Sequence, residues 1–260
     1  MSKLLVLDAG HGYNTPGKRT PDGIREWSLN DKVADKITSK LKDYEGIKVV
    51  RTDDTTGKTD ISLSARMRKV AQLEPDLFIS IHHNANTSNW GSWTGVEAYA
   101  HPQSPAGDKA LAKKIASALS AETGLKNRGS KVADFQVLRE CPVSVPGVLV
   151  EGGFMDSTID NPVLTSSKGQ EAYADAIVKV VVEFFKLKKK PEPAKTFLVE
   201  IICPSLNIRK NADFDSKVMG TVKDGQVFTI VEQKNGLGKL KSGAGWISMN
   251  SRYVKNAKDS

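Results

Sequence analysis

Short apolar runs alternate with amphipathic stretches through residues 1 to 187, and this alternation limits what the chain can fold into more than any other feature. Leu4 to Leu7, Ile47 to Val50, Leu77 to Ile81, Val96 to Tyr99 and Val148 to Val150 are short apolar runs and read as strands. Between them Leu29, Val33, Ile37 and Leu41 recur at helical spacing behind Ser28 as a candidate cap, and Leu63, Met67 and Val70 do so behind Ser62. Ala106 to Thr123 and Lys168 to Lys186 read as further helices. Strands and helices in this order predict an α/β domain built on a mostly parallel twisted sheet flanked by helices.

The alternation stops at Lys188-Lys189-Lys190-Pro191-Glu192-Pro193-Ala194-Lys195, where two prolines and a run of charge end helical packing. Beyond it the pattern becomes short alternating runs, Leu206 to Arg209 and Val227 to Val231, between turns rich in Asp and Gly. The expected organisation is therefore a domain over 1–187, a linker over 188–196 and a small all-β module over 197–260. Charge follows the same division: the net +8 lies mostly beyond residue 187, and residues 197 to 260 hold 10 Lys and Arg against 6 Asp and Glu. A basic tail of this kind suits a polyanionic partner such as nucleic acid, a membrane surface or an anionic cell wall, or else is simply solvated.

Cys141 and Cys203 form neither a CxxC pair nor a disulfide-rich pattern, and read as structural thiols. The opening residues turn polar too soon for a signal peptide's apolar core, and no apolar span is long enough to cross a membrane, so synthesis without a signal peptide is expected. No helix-turn-helix, zinc-finger or RNP pattern supports nucleic-acid binding.

The chemistry-bearing residues cluster around these runs. His11 lies in Asp8-Ala9-Gly10-His11-Gly12, a tight loop after a strand, where open α/β sheets bind ligands. The segment lacks the spacing of a phosphate-binding loop. Glu26 precedes the first helix and can serve either as a ligand or as a charge favouring the helix N-terminus. His82 and His83 close a strand run, and because successive strand residues face opposite sides, only one of them should reach a shared metal; spacing does not say which. Glu151 ends another apolar run and is expected at a strand's carboxyl end, as a proton carrier or as an ion-pair partner. An imidazole, a carboxylate and a second imidazole make an open zinc shell of three protein ligands plus water, as used in metal-assisted hydrolysis. Trp90 and Trp93 offer flat faces to a substrate or pack the loop.

The ordered combination over residues 3 to 186 resembles the zinc-dependent N-acetylmuramoyl-L-alanine amidases of bacterial autolysins and phage endolysins. The matching segments are Leu7 to Gly12, Glu26, Leu63-Ser64-Ala65-Arg66, Ser80 to Ala85, Gly95-Val96-Glu97, Asn127-Arg128-Gly129, Val137-Leu138-Arg139 and Val148 to Phe154. The resemblance implies that one Zn2+ ion is held by His11, Glu26 and His82, that Glu151 is the catalytic carboxylate, and that His83 is a neighbour. It further implies hydrolysis of the amide joining N-acetylmuramic acid to L-alanine of the peptidoglycan stem peptide. This sequence departs from the family at His83, where a small residue is common, and at Gly152, where Thr or Ser is common.

Residues 197 to 254 resemble bacterial SH3-like domains through Leu206 to Arg209, Val218-Met219-Gly220, Lys223-Asp224-Gly225, Gly245-Trp246-Ile247 and Tyr253-Val254. The resemblance implies binding to peptidoglycan and other Gram-positive wall polymers. Together these features predict a modular phage or prophage endolysin, made in the host cytoplasm and acting on the wall after release. The alternatives are a host autolysin or mother-cell lytic amidase, and a wall-binding protein on an inactive amidase scaffold.

Overall fold

A computed structural model describes residues 2–191 and 196–257. The chain divides into two compact units, Met1–Lys190 and Pro191–Ser260. In the first, β1 (Lys3–Ala9), α1 (Glu26–Leu41), β2 (Ile47–Arg51), α2 (Leu63–Leu73) and β3 (Leu77–Asn84) follow one another as strand and helix in turn. Then come β4 (Val96–Ala100), α3 (Ala106–Thr123), β5 (Asn127–Val132), α4 (Gln136–Arg139), β6 (Gly147–Phe154), α5 (Asn161–Thr165) and α6 (Ser167–Phe185). The six strands form one sheet in the order β2-β1-β3-β6-β4-β5. All neighbours are parallel except β4 and β6, which run against each other. The sheet is thus mostly parallel, with its last two strands reversed.

Side chains alternate across the strands and feed two cores. Leu5, Leu7, Ile79, Ile81, Val148 and Val150 face one way and pack with Leu29, Val33 and Ile37 of α1, Ile115 of α3 and Ile177 of α6. Val6, Phe78 and Leu149 face the other way, toward Met67 and Val70 of α2 and Val137 and Leu138 of α4. Each large aliphatic side chain so buried contributes roughly 1.5–3 kcal/mol. The second face has only the shorter helices to cover it, so the carboxyl end of the sheet stays open there.

The helix starts differ from expectation at one point. Ser62 caps α2, accepting the Ala65 N–H as its position predicts. Ser28 does not cap α1: the helix begins at Glu26 after Arg25, and the Ser28 hydroxyl donates to the Arg25 carbonyl from inside the first turn. The helix therefore starts three residues earlier in the chain than a Ser28 cap predicts, with Glu26 in its first turn. Strand β5 was not legible, because its sequence Asn-Arg-Gly-Ser-Lys-Val is polar and its side chains are largely exposed at the sheet edge.

The second unit is an all-antiparallel sheet of β7 (Phe197–Ile201), β8 (Leu206–Arg209), β9 (Val218–Val222), β10 (Val227–Lys234), β11 (Leu237–Leu240), β12 (Trp246–Ser248) and β13 (Val254–Asn256). Its order is β13-β7-β10-β11-β12-β8-β9, around a core of Val199, Ile201, Ile230, Leu240 and Ile247. Of the expected linker, Lys188 to Lys190 hydrogen-bond to Asp43 and Glu45 within the first unit, and residues 192–195 lie outside the described residues.

Candidate active site

The strand order places β2 and β3 on opposite sides of β1, so the chain leaves β1 in one direction and β3 in the other. Open α/β sheets form a crevice at such a reversal, beyond the carboxyl ends of the two strands. The loop carrying His11 leaves β1 there, and His82 stands near the end of β3. His11 holds a left-handed backbone at φ 67°, an uncommon state for a residue with a side chain. Arg66 of α2 holds it in place: buried to 1%, its guanidinium donates to the carbonyls of Ala9 (2.8 Å) and His11 (2.7 Å) and pairs with buried Asp8 at 2.8 Å. Burial pushes the Asp8 carboxyl up, but the charge of Arg66 and the Thr52 hydroxyl overrule it and hold it below the usual range. Gly10 lies under the His82 imidazole, and a Cβ at that position would collide with the ring.

Three side chains meet in this crevice. Glu26 Oε2 lies 3.2 Å from His11 Nε2, and Glu26 Oε1 lies 3.0 Å from His82 Nδ1. One ligating atom from each of the three falls within 4.8 Å of the others, a possible metal-binding triad. Burial pushes the Glu26 carboxyl up, but hydrogen bonds from His11 and His82 outweigh it and hold the group well below the carboxylate range. His82 moves the opposite way: burial lowers it, and the Glu26 carboxylate raises it further than burial depresses it.

The parity of β3 sends the two histidines to opposite faces. His82 points toward the open face, while His83 points into the helical core, 2% exposed and 5.5 Å from the Tyr173 ring. Its Nδ1 bonds to Asn30 Oδ1 at 2.7 Å and its backbone N–H donates to Glu26 Oε1 at 3.2 Å. Asn30 donates in turn to the Gly10 carbonyl at 3.0 Å. Burial lowers the His83 pKa to about 4, so the ring stays neutral beside the triad.

Glu151, on β6, sits opposite His82 of β3 and opposite Glu97 of β4. It lies within β6, not at its end, because the strand continues through Gly152 and Gly153 to Phe154. Among the described residues its buried Oε2 has no hydrogen-bond partner. Burial pushes the carboxyl up to about 8, against the attraction of His82 and with added repulsion from Glu26 and Glu97. A cleft runs over these groups, lined by His11, Pro16, Gly17, Lys18, Glu26, His82, Asn84, Ala85, Ser88, Glu151 and Met155, and it also touches His83.

The wall formed by residues 85 to 95 hangs on two buried aspartates. Asp156 Oδ2 accepts the N–H groups of Asn86, Thr87 and Ser88 at 2.8–2.9 Å, and its Oδ1 accepts the Trp93 indole at 2.8 Å. Asp160 accepts the Gly95 and Phe154 N–H groups, both at 2.9 Å. Trp93 is therefore anchored in the loop, whereas Trp90 remains 43% exposed.

Residues 5–183 match the family model described as N-acetylmuramoyl-L-alanine amidase. The chain belongs to this family. Relatives of the amidase domain come from both phage and bacterium. The endolysin of Bacillus phage SPP1 is 31% identical over 98% of each chain. The sporulation-specific N-acetylmuramoyl-L-alanine amidase of Bacillus subtilis (strain 168) is 30% identical over 80% of this chain and 77% of its own. Among solved structures, the N-acetylmuramoyl-L-alanine amidase from Clostridium difficile 630 aligns with a TM-score of 0.66 at 29% identity, over 71% of this chain and 97% of that one. Sequence reasoning alone gave no role in this amidase domain to Arg66, Asp8, Asn30 or Asp156. The signals available were Asp8, a charge at the end of an apolar strand, and the place of Asp8 and Arg66 in segments that match the family.

Proposed function

We propose that the chain hydrolyses the amide between N-acetylmuramic acid and L-alanine in peptidoglycan, with one zinc ion held by His11, Glu26 and His82 and with Glu151 as proton carrier. The observation that carries this reading is the convergence of the three ligating atoms beside the buried, unpartnered Glu151 oxygen, inside a domain of this family. The donor set fits zinc: two nitrogen ligands and one carboxylate leave a coordination position free. When bound, zinc polarises the scissile carbonyl and lowers the pKa of water to about 7.

The chain's own residues do the rest. Arg66 and Asn30 fix the loop and helix start that carry His11 and Glu26. Glu151 takes a proton from the attacking water and delivers it to the departing alanine nitrogen, a role suited to a carboxyl that titrates close to neutrality. The second unit is read as an SH3-like module that tethers the enzyme to Gram-positive wall polymers. The whole is read as a phage or prophage endolysin, made in the host cytoplasm and acting on the wall after release. A phage relative similar over nearly the full length supports this, and among the described residues no helix is long and apolar enough to cross a membrane.

The test is to digest purified Gram-positive peptidoglycan with and without chelator and to identify the new end groups by mass spectrometry and N-terminal labelling. New N-terminal alanine without new reducing ends is expected, lost with chelator and restored by zinc. Glu151→Ala should keep stoichiometric zinc and lose about 10²–10⁴-fold in kcat; loss of zinc from that variant would make Glu151 a ligand instead.

A further inference from the structure

Register across the sheet sets His82, Glu151 and Glu97 side by side on β3, β6 and β4, all on the open face. Because β4 runs against β6, its first residues lie at the same rim as the carboxyl ends of β3 and β6. Strand β5 is parallel to β4, so Arg128 also stands at that rim, one strand further out. The row runs from the triad, through the proton carrier, to a cation at the sheet edge.

Arg128 is held along its whole length. Its stem crosses Gly95, whose φ of 121° and missing side chain leave the space it fills. Its Nε donates to Glu97 Oε2 at 2.7 Å, and the guanidinium lies 4.9 Å from the Phe154 ring centroid. Glu97 is itself 2% exposed and accepts further hydrogen bonds from Asn84, Tyr99 and Lys131. Burial pushes its carboxyl up, but these donors outweigh burial and keep it ionised. Among the described residues the two Nη groups of Arg128 have no partner, and the side chain is 34% exposed. Two cations, Arg128 and Lys131, thus meet one carboxylate, leaving a positive charge and an oriented, unused fork. A planar fork of this kind binds carboxylates through two parallel hydrogen bonds.

We propose that Arg128, supported by Lys131, binds a carboxylate of the stem peptide two to three residues beyond the scissile amide. This rests on the amidase reading above. Two strand spacings of about 4.8 Å separate β6 from β5, close to 10 Å in all. An extended peptide covers about 3.3–3.6 Å per residue, so a chain leaving the Glu151 position reaches Arg128 at its second or third residue.

The test compares two N-acetylmuramoyl peptides, identical except for a free carboxylate or a carboxamide at that residue. The zinc-loaded wild type should favour the carboxylate form by about tenfold or more in kcat/KM, mainly through KM. Arg128→Gln should bring the ratio of kcat/KM for the two forms to about one, Lys131→Gln should lower that ratio in part, and Arg128→Lys should restore part of it. Zinc content and Tm are measured alongside, to show that each variant is folded. Equal cleavage of both substrates by the wild type, or an equal loss on both in Arg128→Gln, overturns the subsite and leaves the amidase reading standing. Cleavage of neither substrate by folded, zinc-loaded wild type overturns both.

Discussion

Asp8 and Arg66 form an ion pair with almost no contact with water, and they fix the loop that presents His11. Removing one member of such a pair strands the other charge, so Asp8→Asn should destabilise the first unit by about 3–5 kcal/mol near neutral pH. The sign of its pH dependence follows from the lowered Asp8 pKa. Asp8 contributes fully above its unfolded value of about 3.9, and the contribution is lost as pH falls through its lower folded value. Thermal melts from pH 7 to pH 3 should therefore show the gap in Tm between wild type and Asp8→Asn narrowing with acid; a constant gap would falsify the assignment. The same scale explains a glycine: Gly10 carries no side chain because the His82 ring occupies the space.

The loop between β3 and β4 owes its shape to β6 and the turn after it. Asp156 gathers three consecutive backbone N–H groups and one indole, and hydrogen bonds to a charged acceptor contribute about 1.5–3 kcal/mol each. Asp156→Ala should cost about 3 kcal/mol or more and should speed hydrogen exchange at residues 86 to 93 while β1 and β3 stay protected. Unchanged exchange in the loop would show that other contacts hold it. The strands and long helices were readable from sequence because their apolar residues repeat with a clear period, as in β1 and α1. Strand β5 was not, since an edge strand with polar side chains has no period to read. His11, the His82-His83 pair and Glu151 stood out because imidazoles and a carboxylate beside apolar runs are conspicuous, whereas Glu26 was singled out by the family resemblance. Their supports did not: Asn30 and Asp156 look like any polar residue until the fold brings Gly10 and the loop of residues 86 to 93 against them.

At the scale of the whole molecule, each unit has a core of its own, so each has the means to fold independently. If the second unit serves as a tether, a chain ending at Lys190 should cleave a soluble muramoyl peptide within about twofold of the full chain. On insoluble walls it should be retained at least about tenfold less well in sedimentation assays. Equal retention of the two would place wall binding in the first unit. Within that unit, the reversal of β4 against β6 brings strand entries and strand exits to one rim. The exit side is crowded by the triad and by the Asp8–Arg66 pair, and any drift there is penalised at once. The entry side is reached through residues 85–95 and the short turn before β5, which carry none of the three triad residues. That rim therefore joins a rigid centre at one end to a margin at the other that can be altered without touching it.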